Sequence, residues 1–436
     1  SDGSRALRHL FLAERAAGKS AAGARALEQV AVIGAGTMGI GIAIALADAA
    51  LTTVVVDIDR DGLDRARSRI QAHYAAQVRR GRCSAAESSS RQFRITLAAD
   101  FDAVKHCDLA IEAVFENLEV KREVFQVLDR KLPVDAVLAS NTSYLDIDQI
   151  ATATARPDSV VGLHFFSPAH VMKVVEVVRG AATRPDVIAT SVGLARRLNK
   201  IPVVVGNATG FVGNRMFQAY CRESQLLLLE GATPWQVDAA LERFGMAMGP
   251  CAVLDLAGLD VGYRARRERQ DVPQDPRYFR IADRLVEQQR LGQKSGRGHY
   301  LYGDDGARQP DAEVLALIDV EAAKLSIKRR EIADEEIIER CILALVVTGA
   351  ALLDEGTALR ASDIDVIWAN GYGFPRYRGG PMWYADTLGI DHVRERAQYL
   401  AATLGECYWA LPQLLRDRAC FYSTPEQGPV RPTGGA

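Results

Sequence analysis

Apolar residues in the first half of the chain fall into short unbroken runs separated by amphipathic stretches. Val30 to Ile33 is such a run, and a helical pattern from Met38 to Ala50 follows it. Unbroken apolar runs are typical of strands that are covered on both faces. Further candidate strands occupy residues 53–56, 109–111, 136–138, 160–163, 171–178 and 203–205. Strands that alternate with helices predict an α/β fold built on a parallel, doubly wound sheet.

The alternation stops after residue 205, and the remaining pattern is mainly helical. Two helical blocks follow, and the segments 228–231 and 249–250 of the first recur as 353–356 and 380–381 of the second. This recurrence predicts a duplication. The expected organisation is a helix at 1–27, an α/β domain at 28–206, two tandem all-α domains at 207–304 and 305–423, and a loose tail at 424–436.

Composition and charge argue against several classes of protein. The 53 basic and 55 acidic residues give a net charge of −2, which disfavours nucleic-acid and anionic-membrane partners. The longest apolar run, 341–353, is too short to span a bilayer. The cysteines are scattered without a CxxC pair, so neither a disulfide framework nor a metal site is indicated. Without a secretory pattern or a terminal Ser-Lys-Leu, the chain is expected to be cytoplasmic.

A glycine-rich segment follows the first strand and opens the next helix. Gly34 permits a tight turn, Gly36 lets the backbone approach a pyrophosphate, and Gly39 allows helix and strand to pack closely. The helix N-terminus then faces the phosphate charge. Asp57 ends the second strand, where a carboxylate binds the adenine ribose and repels a 2′-phosphate, so NAD is favoured over NADP. The alternative is a packing turn and an aspartate that caps a helix.

A histidine and a glutamate stand on two adjacent candidate strands. His164 follows the run 160–163, and Glu176 is the one carboxylate within the run 171–178. A short turn between these runs would place the two side chains next to each other. A carboxylate fixes the tautomer of an imidazole and stabilises its charged form, so the pair suits a general base. The alternative for His164 is a core histidine, although an unpaired glutamate in an apolar strand would be costly.

Polar side chains also follow other predicted strands. Residues 140–143 read Ser-Asn-Thr-Ser and lie at the carboxyl edge of the sheet, where such sheets bind ligands. Hydroxyl and amide groups in this segment can hold a substrate oxygen. Asn214 opens the first helical block and can face the same cleft. The alternatives are a turn with helix-capping residues at 140–143 and an interface residue at Asn214.

Nine segments of the chain together match the pattern of one known family. They are GAGTMG at 34–39, EAVFENLEVK at 112–121, SNTS at 140–143, GLHFFSPAHVMKVVEV at 162–177, GFVGNR at 210–215, MGP at 248–250, DLAGLDVG at 255–262, GQKSGRGHY at 292–300 and NGYGFPRYRGGP at 370–381. With these segments the chain resembles the L-3-hydroxyacyl-CoA dehydrogenase family. It looks most like the dehydrogenase part of multifunctional beta-oxidation enzymes.

The resemblance implies an NAD-dependent oxidation of (S)-3-hydroxyacyl-CoA to 3-oxoacyl-CoA in fatty acid beta-oxidation. It makes His164 the catalytic base and Glu176 its partner, while Ser143 and Asn214 contact the substrate 3-oxygen and the nicotinamide side of the site. Ser167 stands where many relatives carry asparagine. The residues that the resemblance assigns to NAD are Gly34, Gly36, Thr37, Met38, Gly39, Asp57, Val114, Glu116, Lys121, Ser143 and Ser167.

The resemblance also implies how the chain is organised. Residues 1–27 look like the linker helix that follows a hydratase domain, and residues 28–206 like a Rossmann-type NAD-binding domain. The hydratase itself is expected to be absent. The two helical domains would pair within one chain and give a monomer with an internal pseudo-dimer. An acyl-CoA is the expected substrate, with a thiolase or a hydratase domain as partner. The Arg-rich segment 60–82 either meets the CoA phosphates or forms a solvated helix face.

Two other functions stay open at this point. A dehydrogenase of a free 3-hydroxyacid would show no dependence on CoA. A non-catalytic NAD-binding protein on the same fold should have lost His164 or Glu176, and both are present.

Overall fold

The computed structural model describes residues 1–19, 23–269 and 272–422. These residues form two compact units. The sheet unit comprises residues 8–214 and 355–371, and the helical unit comprises residues 1–7, residues 215–354 and the described residues from Tyr372 onward. The tail predicted at 424–436 lies outside the described residues.

Eight strands form one sheet in the sheet unit. They are β1 (Gln29–Ile33), β2 (Thr52–Val56), β3 (Ile95–Ala98), β4 (Leu109–Glu112), β5 (Val137–Ser140), β6 (Val160–Phe165), β7 (Val174–Arg179) and β8 (Ile201–Gly206). Their order is β3-β2-β1-β4-β5-β6-β7-β8, and all neighbours are parallel except β6 and β7. The strand order reverses between β1 and β4, which is where open sheets of this kind bind ligands.

Helices precede and connect these strands, and several of them pack apolar residues on the sheet. The first seven are α1 (Asp2–Ala17), α2 (Thr37–Asp48), α3 (Arg60–Arg79), α4 (Ala85–Phe93), α5 (Leu118–Lys131), α6 (Ile147–Ala151) and α7 (Pro185–Arg197). Residues 39–47 of α2 are all buried. Ile42 of α2 shares one core cluster with Val32 of β1, Val55 of β2 and Ile111 of β4. An almost wholly apolar helix is therefore placed over the centre of the sheet.

The remaining elements are mostly helical. They are α8 (Gly213–Glu230), α9 (Pro234–Phe244), α10 (Pro250–Ala257), α11 (Leu259–Glu268), α12 (Arg280–Glu287), the strands β9 (Leu301–Tyr302) and β10 (Arg308–Gln309), α13 (Ala312–Lys324), α14 (Asp334–Asp354), α15 (Ala361–Gly371), α16 (Pro381–Leu388), α17 (Ile390–Leu404), α18 (Glu406–Trp409) and α19 (Gln413–Asp417). Short 3-10 helices occupy Phe101–Val104, Pro157–Ser159, Gln293–Ser295 and Arg376–Arg378. Helix α15 belongs to the sheet unit, where it packs on β7 and β8. The α/β class with a helical C-terminal part is confirmed.

The two helical blocks contact each other inside the helical unit along α14. Arg340 of α14 is 1% exposed. Its guanidinium lies 2.6 Å from a Glu230 carboxylate oxygen and 3.2 Å from a Glu223 carboxylate oxygen, both on α8. Burying a charge is costly unless it is paired and hydrogen-bonded. These carboxylates therefore tie the second block to the first.

Several element boundaries differ from the sequence-based expectation. The helix expected at 1–27 ends at Ala17, and no helix occurs in the described residues 23–27. The helix expected over 60–82 ends at Arg79. The strand expected from residue 171 begins at Val174, because the N–H groups of residues 171 and 172 both donate to the Pro168 carbonyl oxygen in a turn.

Strand β3 is absent from the sequence-based expectation. It forms the edge of the sheet and its side chains are only partly buried or exposed. A short edge strand lacks the unbroken apolar run of a covered strand, so its residues resemble a loop in sequence. The pair β6 and β7 also makes the sheet mixed rather than wholly parallel.

Within the described ranges, no helix is long and apolar enough to cross a bilayer. The same residues contain no cluster of three or more His, Cys, Asp or Glu side chains that could hold a metal ion.

Candidate active site

The glycine turn between β1 and α2 provides open space beside a helix N-terminus. Gly34 has φ +106°, and a Cβ there would lie 2.7 Å from the Ala113 carbonyl oxygen. A Cβ on Gly39 would lie 1.9 Å from the Gly34 carbonyl oxygen, so this position has no room for a side chain. A Cβ on Gly36 would meet nothing within 4 Å. The backbone at Gly36 therefore faces open space that suits a pyrophosphate.

Asp57 follows β2 and contacts the glycine turn directly. Its Oδ2 accepts a hydrogen bond from the Ala35 N–H at 2.7 Å, and its Oδ1 accepts one from the Asp59 N–H at 3.0 Å. The carboxylate thus helps to fix the turn as well as providing negative charge beside it. Thr37 is exposed in the first turn of α2, and Met38 packs partly against the core. The turn residues assigned to NAD therefore lie together at the carboxyl ends of β1 and β2.

An ion cluster lies at the carboxyl ends of β4 and β5. Lys121 Nζ lies 2.7 Å from Glu112 Oε1 and 3.3 Å from Glu116 Oε2. Glu116 Oε1 accepts hydrogen bonds from Thr142 Oγ1 at 2.6 Å and from the Ser143 N–H at 2.8 Å. Burial raises the pKa of Glu116, but the Lys121 charge and these hydrogen bonds outweigh it and hold that pKa below its ordinary value. The ionised carboxylate fixes the loop that carries Ser143.

Glu112 is a member of this cluster that sequence analysis missed. It is fully buried, and it accepts hydrogen bonds from Ser140 Oγ at 2.6 Å and from the Val114 N–H at 2.7 Å. The sequence did contain a signal, because Glu112 directly follows an apolar run and a buried charge requires partners. Lys121 is that partner. Glu112 adds to the predicted residues, because its carboxylate contacts the Lys121 ammonium and accepts a hydrogen bond from the Val114 N–H.

His164 and Glu176 are directly opposite each other on β6 and β7. His164 Nδ1 lies 2.7 Å from Glu176 Oε2, and the two side chains are 6% and 0% exposed. Glu176 Oε1 accepts hydrogen bonds from the N–H groups of Gly213 at 2.9 Å and Val212 at 3.2 Å. The antiparallel pairing of the strands therefore produces an imidazole held by a fully bonded carboxylate. With a proton on Nδ1, the lone pair on Nε2 is available to accept another.

Ser143 and Asn214 are also close to each other. Asn214 Nδ2 donates to the Ser143 carbonyl oxygen at 3.5 Å, which is the long end of hydrogen bonding. Both residues are half-buried. Asn141 Oδ1 accepts a hydrogen bond from the Phe165 N–H at 2.9 Å and ties the 140–143 loop to the end of β6. Ser167 is exposed on the next turn, and its side chain forms no hydrogen bond within the described ranges.

The Arg-rich segment forms α3 and the turn after it. Its seven arginines are all exposed, and they are Arg60, Arg65, Arg67, Arg69, Arg79, Arg80 and Arg82. Arg65 pairs with Asp59 at 2.8 Å. This exposed cationic face fits a phosphate ligand and plain solvation equally.

Residues 29–209 match the family model described as the 3-hydroxyacyl-CoA dehydrogenase NAD binding domain. Residues 210–302 and 337–421 match the model described as the 3-hydroxyacyl-CoA dehydrogenase C-terminal domain. One C-terminal description thus covers both helical blocks, and NAD is confirmed as the cofactor.

Individual relatives agree with the family match. The chain is 43% identical over 418 residues to the peroxisomal bifunctional enzyme of Danio rerio and 40% identical over 417 residues to that of Homo sapiens. Each alignment covers 90% of this chain but 57% of the relative, so the chain spans little more than half of their length. A crystal structure of the dehydrogenase part of multifunctional enzyme 1 from C. elegans has a TM-score of 0.68 and 28% identity, covering 94% of this chain and 96% of that one.

The predicted cytoplasmic location is contradicted by these comparisons, because both relatives are named peroxisomal. That prediction was drawn from segments at the two ends of the chain, and targeting signals are short sequences read by receptors rather than properties of a fold. The predicted resemblance, in contrast, is confirmed across the α/β and helical parts. The chain belongs to the 3-hydroxyacyl-CoA dehydrogenase family.

Proposed function

We propose that this chain oxidises (S)-3-hydroxyacyl-CoA to 3-oxoacyl-CoA with NAD. The observation that carries the proposal is the pair of His164 and Glu176, an imidazole 2.7 Å from a fully buried carboxylate. The open space at Gly36 lies at the carboxyl end of the same sheet and supports a dinucleotide in the crevice. A base and a dinucleotide at one sheet edge suit the oxidation of an alcohol.

His164 acts as the general base in this proposal. Glu176 accepts the hydrogen bond from Nδ1–H, so Nε2 presents a lone pair to the 3-hydroxyl proton of the substrate. When Nε2 takes that proton the imidazole becomes charged, and the Glu176 carboxylate stabilises the charge. NAD, when bound, supplies the acceptor for the hydride that leaves substrate C3.

The dinucleotide is held by groups along the crevice. The turn with Gly34, Gly36 and Gly39 and the first α2 residues Thr37 and Met38 hold the pyrophosphate, while Asp57 binds the adenine ribose. The other residues that we assign to the dinucleotide are Val114, Glu116, Lys121, Ser143 and Ser167.

The substrate 3-oxygen is held by Ser143 and Asn214. Their 3.5 Å contact and their half-buried state support a shared polar position. Because Glu176 accepts hydrogen bonds from the two N–H groups just before Asn214, the same carboxylate places both the base and this contact.

The chain is proposed to be the dehydrogenase part of a larger enzyme, because the relatives named bifunctional are longer than it. Residues 1–27 then form a linker after a hydratase domain, 28–206 the NAD-binding domain, and 207–304 and 305–423 the duplicated helical domains. The contact of Arg340 with Glu223 and Glu230 supports an internal pseudo-dimer and thus a monomer.

The test of the activity is a comparison of two substrates with the purified chain. NADH consumption is followed with acetoacetyl-CoA and with free acetoacetate, and NADPH serves as the cofactor control. The proposal expects turnover with the thioester and NADH, and little with the free acid or NADPH. Equal or faster turnover of the free acid would instead support a dehydrogenase of free 3-hydroxyacids.

A further inference from the structure

A buried lysine stands behind the turn that joins the strands of His164 and Glu176. Lys200 is 7% exposed and lies between α7 and β8. Asn199 has φ +56° and ends the helix, and the Lys200 N–H then donates to the Ala195 carbonyl oxygen at 2.9 Å. This left-handed residue reverses the chain so that Lys200 enters the protein at the start of a buried strand.

The Lys200 ammonium contacts the turn through its backbone. Nζ donates to the carbonyl oxygens of Ala169 and Met172, each at 2.6 Å, and lies 6.0 Å from the centre of the Phe165 ring. No carboxylate within the described ranges forms an ion pair with it. A buried ammonium without a counter-charge is costly, and a methionine of similar length would fill the space without that cost. Packing alone therefore does not account for a lysine at this position.

We infer that Lys200 is a positioning residue whose ammonium clamps the turn between β6 and β7 and thereby sets the Ser167 side of the dinucleotide site. The inference rests on the NAD site proposed above. The turn has two fixed ends, at His164 and at Glu176, and Ser167 lies exposed between them. Two charge-assisted hydrogen bonds hold the turn from its buried side.

The clamp is sensitive to pH in one direction. Burial lowers the pKa of Lys200 to about 8, so the ammonium loses its charge in the mildly alkaline range. Burial also lowers the pKa of His170 on the turn, and the Lys200 charge lowers it further. Burial lowers the pKa of His73 on α3 in the same way, with a smaller contribution from His170. Both imidazoles are therefore neutral when Lys200 begins to lose its proton.

Other charged groups lie on the helices next to the turn. Asp48 at the end of α2 attracts both histidines and accepts a hydrogen bond from Arg91. Arg197 of α7 donates to backbone carbonyl oxygens. The clamp is thus weakened as pH rises through about 8, when Lys200 itself deprotonates.

The test is a titration of NADH affinity against pH for the native chain and three variants. Native affinity is expected to fall above about pH 8. Lys200→Met should bind NADH roughly tenfold more weakly at neutral pH and lose the alkaline fall, since a hydrogen bond to a charged group is worth about this much. Lys200→Arg, whose charge persists, should keep its affinity at alkaline pH. Lys173→Met, an exposed lysine beside the turn, is the matched control and should follow the native curve.

The outcomes separate the inference from the proposed function. A native chain that binds no NADH would overturn both. If the native chain binds NADH and the affinity of Lys200→Met follows the native pH curve, the inference alone fails. It fails in the same way if Lys200→Met loses heat stability without any change in NADH affinity. If Lys200→Met does not fold, the native curve decides, because a native affinity that stays constant between about pH 7 and about pH 9.5 contradicts the clamp.

Discussion

Glu176 shows how much one side chain does in this site. One oxygen holds the His164 imidazole, and the other accepts the N–H groups of Val212 and Gly213 at the entrance to α8. A buried carboxylate is costly unless its oxygens are bonded, and here both are. The arrangement links the base to the segment that presents Asn214.

Asp57 has two separable roles at the residue scale. Its charge repels a 2′-phosphate, and its Oδ2 holds the Ala35 N–H of the glycine turn. Asp57→Asn should keep an acceptor for that N–H and mainly narrow the preference for NADH over NADPH. Asp57→Ala should also weaken NADH binding, because the turn loses its support. Both effects are measured as the dissociation constants of NADH and NADPH for the native chain and the two variants.

The native preference provides the control for that experiment. If the native chain uses NADH and NADPH equally well, Asp57 does not select the cofactor. If Asp57→Asn weakens NADH binding as much as Asp57→Ala does, the charge rather than the hydrogen bond to the turn is responsible.

At the scale of an element, the geometry of the glycine turn predicts different effects for two glycine substitutions. Gly39→Ala should destabilise the fold, because its Cβ would lie 1.9 Å from the Gly34 carbonyl oxygen. Gly36→Ala should fold normally, since its Cβ would meet nothing within 4 Å, but it should weaken NADH binding by filling the pyrophosphate space. Thermal melting and NADH titration of the two variants separate packing from binding. If Gly36→Ala binds NADH with native affinity, the pyrophosphate does not bind at this turn.

Elements with strong apolar patterns could be predicted from the sequence, and the partly exposed edge strand β3 could not. The apolar runs of β1, β2 and β4 indicated buried strands, and the spacing of His164 and Glu176 indicated a strand pair. Strand β3 was missed because its side chains are only partly covered. The end of α1 was misplaced because alanines and arginines continue a helical composition beyond Gly18.

Asp57 and His164 could be predicted because each follows an apolar run, although the same signal did not reveal Glu112. Glu112 was missed because one carboxylate after a strand is ambiguous until its partner Lys121 is placed by the next helix. The support of the 140–143 loop by Glu116 also depends on tertiary structure, since these residues lie in loops that follow different strands. Lys200 has no pattern in sequence that distinguishes it from a surface lysine.

At the scale of the whole molecule, the duplication predicts a monomer. The two helical blocks contact each other within one chain, and a linked partner competes effectively with a second chain. Light scattering at micromolar concentration should therefore give a mass near 47.5 kDa. A mass of about twice that value, independent of dilution, would contradict the pseudo-dimer.

The contact between the blocks should depend on Arg340. Arg340→Ala leaves the buried Glu223 without this partner and should lower the free energy of unfolding by about 3 kcal/mol or more. Arg396→Ala is the matched control, because it breaks a more exposed pair with Glu339 and should cost about 1 kcal/mol or less. Denaturant unfolding measures both. Equal losses in the two variants would mean that the Arg340 contact does not hold the blocks together.

The most direct test of the account is the turnover of His164→Gln with acetoacetyl-CoA and NADH, measured beside its NADH affinity. Glutamine retains polarity but cannot take up or give a proton near neutral pH, so the rate in either direction should fall by roughly 10²–10⁴-fold while NADH binding stays native. A variant that binds NADH normally and reduces acetoacetyl-CoA at a near-native rate would show that His164 is not the base.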